Sequence, residues 1–193
     1  MFFHIMRFLF YIPLRILFPT KVIGKKNLPK GKAVLTGNHK SNMDGVMVSL
    51  VVYRKVSHFA KRSWFKNPIV GCLIKSFGGI PVDRGKTDIS TIKAGLRTLK
   101  NGKRLCIFPE GTRVKSEGMD MSEVKAGAAM LAIKAQAPIV PFWYEKKQKL
   151  FRFNKMYWGE PYELSQFYDK RLTSEVLAEA AEIVSQKILE LKK

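Results

Sequence analysis

Past residue 32 the chain alternates short apolar runs with stretches of helical periodicity, and this alternation predicts an α/β domain. The runs at 33–36 (AVLT), 56–60 (VSHFA), 79–82 (GIPV), 104–108 (RLCIF) and 139–143 (IVPFW) read as strands. Between the first two, Ser41 is placed to cap a helix through Val46, Met47, Leu50 and Val51, with Asp44 in its first turn. Ile89, Ile92, Leu96 and Leu99 recur at spacings of three, four and three, predicting a helix over 88–100 that Gly102 stops. An Ala-rich helix is expected over 122–136. A last helix sets Val176, Leu177, Ala180, Ile183, Val184, Ile188 and Leu191 on one face, to pack on the sheet. No internal repeat, low-complexity tract or linker interrupts the pattern. The expectation is a single α/β domain over 21–193, a central mixed sheet flanked by helices.

Residues 1–20 follow a different pattern. From Phe2 to Phe18 the chain is almost continuously apolar, and His4, Arg7, Tyr11 and Arg15 fall three, four and four apart, one stripe of a helix. A membrane span needs about 20 apolar residues, and a central Arg costs about 2.5–3.5 kcal/mol. A secretory signal would show a basic start and a small-residue cleavage site, and neither is present. A buried first helix would have to bury Arg7 and Arg15. An amphipathic helix lying in the membrane interface fits better, its apolar face made of Phe3, Ile5, Phe8, Leu9, Ile12 and Ile16, with Lys21, Lys25, Lys26, Lys30 and Lys32 following. Pro13 is expected to kink it.

Charge sharpens this picture. The 193-residue chain has a net charge of +20, which implies an anionic partner: a membrane, a phosphorylated substrate or nucleic acid. Residues 1–82 hold fourteen Lys or Arg and one acidic residue, Asp44. No aromatic-basic RNA signature or recognition helix appears, so a nucleic-acid partner is not expected. Cys72 and Cys106 fit no metal or redox spacing and read as reduced thiols, with Cys106 as core filler. His4, His39 and His58 are scattered, so no metal site is expected, and His58 reads as a hydrogen-bonded structural histidine.

The lone carboxylate lies five positions after His39, in Asn38-His39-Lys40-Ser41-Asn42-Met43-Asp44. An imidazole with a carboxylate partner can serve as a general base. Equally, Asp44 can cap a helix beside a polar loop histidine, and spacing leaves both readings open. Further polar clusters follow other strands: Lys61-Arg62, Asp83-Arg84, and Phe-Pro-Glu-Gly-Thr-Arg at 108–113. Open α/β sheets place ligands at strand ends, and arginine suits bidentate phosphate recognition.

These residues resemble the glycerolipid acyltransferases, in particular those acting on 1-acylglycerol-3-phosphate. The likeness covers about residues 30–145 in four ordered blocks: Asn38, His39 and Asp44; Gly78-Gly79-Ile80-Pro81-Val82-Asp83-Arg84; the complete FPEGTR at 108–113; and Ile139-Val140-Pro141. Lys61 stands where such enzymes keep a basic residue. Two features depart from the family: Val114 replaces a frequent Ser, and the N-terminal segment is shorter than many anchors.

The resemblance implies transfer of an acyl group from acyl-CoA or acyl-acyl carrier protein, as co-substrate, to the sn-2 hydroxyl of lysophosphatidic acid, giving phosphatidic acid without a cofactor. His39 would be the base and Asp44 its orienting partner, supported by Asn38. Arg113, with Lys61 and Arg84, would hold the acceptor's phosphate. Glu110 would hold a glycerol hydroxyl or orient Arg113, Gly111 would let the backbone approach, and Thr112 belongs to the same binding loop. No Gly-x-Ser-x-Gly elbow suggests a covalent acyl-enzyme. Another lysolipid acceptor, or a basic membrane or nucleic-acid binder without activity, are the alternatives. The expected location is the cytoplasmic face of the cell membrane, peripheral or monotopic, on anionic lipid.

Overall fold

A computed structural model describes residues 2–28, 30–52, 55–82, 89–109 and 126–192. Side chains at Phe2, Phe3, His4, Met6 and Arg7 lie outside that description. The order is α1 (Phe2–Leu17), β1 (Thr20–Ile23), β2 (Ala33–Gly37), α2 (Asp44–Val51), β3 (Val56–Lys61), α3 (Pro68–Ser76), β4 (Gly79–Val82), α4 (Ile89–Lys100), β5 (Arg104–Ile107), α5 (Gly127–Ala135), β6 (Ile139–Tyr144), β7 (Asn154–Trp158) and α6 (Ser174–Leu189). The strands form one mixed sheet ordered β1-β7-β6-β2-β5-β3-β4. From β6 to β4 they run parallel; β7 is antiparallel to β6, and β1 follows β7.

The central strand β2 is buried at all five positions, as a parallel strand covered on both faces must be. Alternate residues feed two cores. Val34, Leu105 and Ile139 face Leu131, Ile133, Val184 and Ile188 of α5 and α6. Leu35, Cys106, Val140 and Phe142 face Met47, Val48 and Leu50 of α2. Cys106 is thus core filler, its thiol pushed up by burial and then by the nearby Asp44. In α4 the buried face is narrower than the spacing predicts: Leu99 is fully buried but Ile89 is exposed. That helix does end as expected, with Gly102 at φ 69 just beyond it. On α6 the buried face is Ala180, Ala181, Val184, Ser185 and Ile188. The proposed start of α5 at 122–125 lies outside the described residues.

Three elements escaped the sequence reading. α3 is a short helix capped by Asn67, whose side chain accepts from Ile69 and Val70, with Pro68 at its first position. β7 (NKMYW) is buried on both faces and has no alternation to read. β1 (TKVI) starts where the apolar segment ends. α1 runs continuously through Pro13. Phe10, Leu14 and Leu17 pack against the second core and Phe18 is buried in it, whereas Ile5, Phe8, Leu9, Ile12 and Ile16 are exposed. Among the described residues no helix is long and apolar enough to cross a membrane.

Candidate active site

β2 delivers its last residues against β6 at very short range. A Cβ on Gly37 would sit 2.3 Å from the Phe142 carbonyl oxygen, so only glycine lets the two strands meet there. One residue on, the Asn38 amide donates to the Tyr144 carbonyl (2.9 Å) and accepts from the Tyr144 N–H (2.7 Å). This two-point bracket continues the strand pairing through a side chain and frees the backbone to turn.

The turn wraps around one oxygen. Asp44 Oδ2 accepts from the backbone N–H of Lys40 (2.7 Å) and of Ser41 (2.6 Å), and lies 3.0 Å from His39 Nδ1. The carboxylate is fully buried at the first position of α2, where the helix dipole favours negative charge. A carboxylate acceptor assigns the proton to Nδ1 and leaves Nε2 as the ring's acceptor nitrogen. The Tyr144 hydroxyl donates to the Asp44 carbonyl (3.1 Å), tying β6 to the start of α2. Burial, then Asp44, push the Tyr144 hydroxyl well above its ordinary range, so it stays a donor. Ser41 does not cap α2. Its hydroxyl accepts from Met43 N–H at 3.3 Å inside the turn, and Met43 itself stands at the N-cap position without a side-chain bond.

The imidazole is fixed on its other side too. Phe108 stacks on it with ring centres 4.1 Å apart and planes at 17°, and meets Phe142 edge-on at 6.0 Å. Hence the first residue of the FPEGTR block touches the His39 ring directly. The sequence reading named Phe108 only as the first residue of that block, with no role, and did not single out Tyr144. Only its place at the end of β6, beside β2, could have flagged Tyr144.

Lys61 ends β3 and is exposed, level with Val82 of β4. Since β5 lies between β2 and β3, Lys61 is about two strand spacings from His39, roughly 10 Å across the same sheet end. Arg84, Glu110, Gly111, Thr112 and Arg113 lie outside the described residues. Among the described residues no group of three His, Cys, Asp or Glu side chains converges on a metal position. His58 differs from expectation: it packs beside Gly45 of α2, and its buried Nδ1 finds no hydrogen-bond partner among the described residues. Burial lowers its pKa to about 4, so it is a neutral ring packed under the site.

The acyltransferase family model matches residues 19–145, spanning every element just described from β1 to β6. The chain belongs to the acyltransferase family. It is 31% identical over 179 residues to the 1-acyl-sn-glycerol-3-phosphate acyltransferase of Bacillus subtilis (strain 168), covering 89% of this chain and 87% of that one. It is 31% identical over 173 residues to the enzyme of the same name from Escherichia coli (strain K12), covering 84% and 69%. The crystal structure of the 1-acyl-sn-glycerophosphate acyltransferase PlsC from Thermotoga maritima has the same fold, with a TM-score of 0.66 at 24% identity over 89% of this chain and 71% of that one. In this acyltransferase, then, the His39–Asp44 pair occupies the end of the sheet's central strand.

Proposed function

We propose that this acyltransferase moves an acyl group from a thioester, acyl-CoA or acyl-acyl carrier protein, to the sn-2 hydroxyl of 1-acylglycerol-3-phosphate, forming phosphatidic acid. The names of its relatives support the acceptor. The observation that carries the chemistry is the geometry of His39, with Nδ1 on a buried carboxylate and its ring clamped by Phe108. His39 Nε2 takes the proton of the sn-2 hydroxyl as that oxygen attacks the thioester carbonyl carbon. Asp44 steadies the imidazolium that forms. The tetrahedral adduct collapses, the carbon–sulfur bond breaks, and the thiolate recovers the proton from His39. The thiol of Cys106 is sealed in the core, which supports direct transfer over a Cys106-bound acyl intermediate.

Arg113, supported by Lys61 and Arg84, holds the acceptor phosphate, with Glu110, Gly111 and Thr112 around the glycerol. Residues 1–20 act as an interfacial segment and 21–193 as the acyltransferase domain, working on anionic lipid at the cytoplasmic membrane face. Mass spectrometry of products from lysophosphatidic acid and a panel of acyl donors tests the assignment. Folded His39→Ala should lose acyl transfer by three orders of magnitude or more, and Asp44→Asn somewhat less, as expected for a base and its orienting group. Near-native turnover by His39→Ala, or no phosphatidic acid with any donor, would refute it.

A further inference from the structure

Strands β6, β2, β5, β3 and β4 all finish at the sheet end that carries His39, and β7 and β1, running the other way, begin there. The connection from β6 to β7 therefore hangs at the same end, beside the C-terminus of α1. It reads Glu-Lys-Lys-Gln-Lys-Leu-Phe-Arg-Phe over 145–153. Its apolar side chains face outward: Leu150 is 60% exposed, Phe151 71% and Phe153 55%. Exposed Lys147, Lys149 and Arg152 interleave with them.

This loop is pinned in place. Asn154 closes its base, accepting from Lys146 N–H (2.9 Å) and donating to the Lys146 carbonyl (2.6 Å). The Phe151 N–H donates to the Leu17 carbonyl at 2.7 Å, capping the end of α1, and Asn154 N–H donates to the Pro19 carbonyl at 2.9 Å. Phe151 is held at φ 55, a conformation bulky residues disfavour, and its ring still faces outward. Between loop and helix lies a shallow groove of ≈ 450 Å³, with Ile12 and Ile16 on one wall and Phe153 on the other. The outer face of α1 and the loop thus form one continuous apolar surface.

We propose that the 146–153 loop is a second lipid-docking element, which with the outer face of α1 seats the enzyme on a bilayer carrying anionic phospholipid. Charge selects this occupant: a chain of net charge +20, presenting Lys147, Lys149, Arg152 and Lys21 around the patch, repels a second copy of itself and attracts anionic headgroups. Apolar side chains ringed by cations match the two-part attraction of an interfacial surface. The proposal rests on the acyl-transfer reading only in that the acceptor is a lipid.

Co-sedimentation of the full chain with phosphatidylcholine vesicles, with and without phosphatidylglycerol, tests it without any turnover. L150S/F151N/F153S, with asparagine chosen because it tolerates positive φ, should weaken partitioning into anionic vesicles about tenfold or more. K147Q/K149Q/R152Q should weaken it roughly tenfold to a hundredfold on phosphatidylglycerol vesicles and leave pure phosphatidylcholine unchanged. Both should keep the native melting midpoint and full turnover on detergent-dispersed lipid. The second variant alters only exposed charges, so it bears on the proposal even if the first is unstable. Native partitioning by either folded variant, or equal loss on both vesicle types for the charge variant, would overturn the proposal. So would a wild-type dimer that the apolar variant dissociates in sedimentation velocity, since the patch would then belong to a second copy. Absence of acyl transfer by the wild type in detergent, with its vesicle partitioning as expected, would instead count against the acyl-transfer reading and leave the docking proposal standing.

Discussion

The His39 ring owes its geometry to groups at the ends of three strands: Asn38 brackets Tyr144, Tyr144 holds the start of α2, and Phe108 covers the ring. The pairing of His39 with Asp44 was legible in the sequence because both lie in one short loop. Phe108 and Tyr144 were not, since their contacts with that loop span the sheet and depend on a strand order no local pattern encodes. His58 was misread for a related reason: residue type suggested a satisfied histidine, whereas packing beside Gly45 leaves Nδ1 without a partner among the described residues. With a folded pKa of about 4 against an ordinary 6.5, the unfolded chain binds the extra proton first. Stability attributable to this ring is therefore complete above pH 6.5, falls as the pH drops, and levels off below about 4. Urea unfolding at pH 7 and pH 5 should show a loss on the order of 1–2 kcal/mol that His58→Leu removes. An identical pH dependence in the two proteins would show that the ring is not buried as described.

Among the elements, the strands from β2 to β6 that alternate with helices were all readable, because each is an apolar run bounded by helical periodicity or turns. β7 and β1 were not. β7 follows the reversing connection at 145–153 with no helix pattern to frame it, and β1 is four residues that start where the apolar segment of α1 ends. β2 and β6 approach each other closely at Gly37. Gly37→Ala would press a methyl group against the Phe142 carbonyl and ring, both fixed inside a buried sheet. A cost of about 3 kcal/mol is expected, lowering the melting midpoint by roughly 6–12 °C. Gly127→Ala, with nothing within 4 Å of the added carbon, serves as the comparison and should be neutral or mildly stabilising. Equal midpoints for wild type and Gly37→Ala would mean that β2 and β6 are spaced more loosely than described.

Taken whole, the molecule carries its charge unevenly along the chain: most of its surplus positive charge belongs to the first 82 residues, which also supply α1, His39 and Lys61. The amino-acid sequence made that asymmetry plain, yet gave no sign that the distant 146–153 loop returns to the same end of the sheet, because that requires the reversal at β7. The shared end has a kinetic consequence. A docked enzyme meets its acceptor in two dimensions, so its rate should follow the acceptor's mole fraction in the bilayer and not its amount per litre of suspension. Diluting lysophosphatidic acid with an inert lipid of the same charge, at fixed total acceptor, should slow turnover in proportion. Adding buffer to vesicles of fixed composition should leave the rate per bound enzyme unchanged. A rate set by bulk concentration alone would show that the enzyme captures its acceptor from water. Product, too, should be released into the leaflet that supplied the substrate, so that one docked enzyme converts most of the acceptor on its own vesicle before it reaches another.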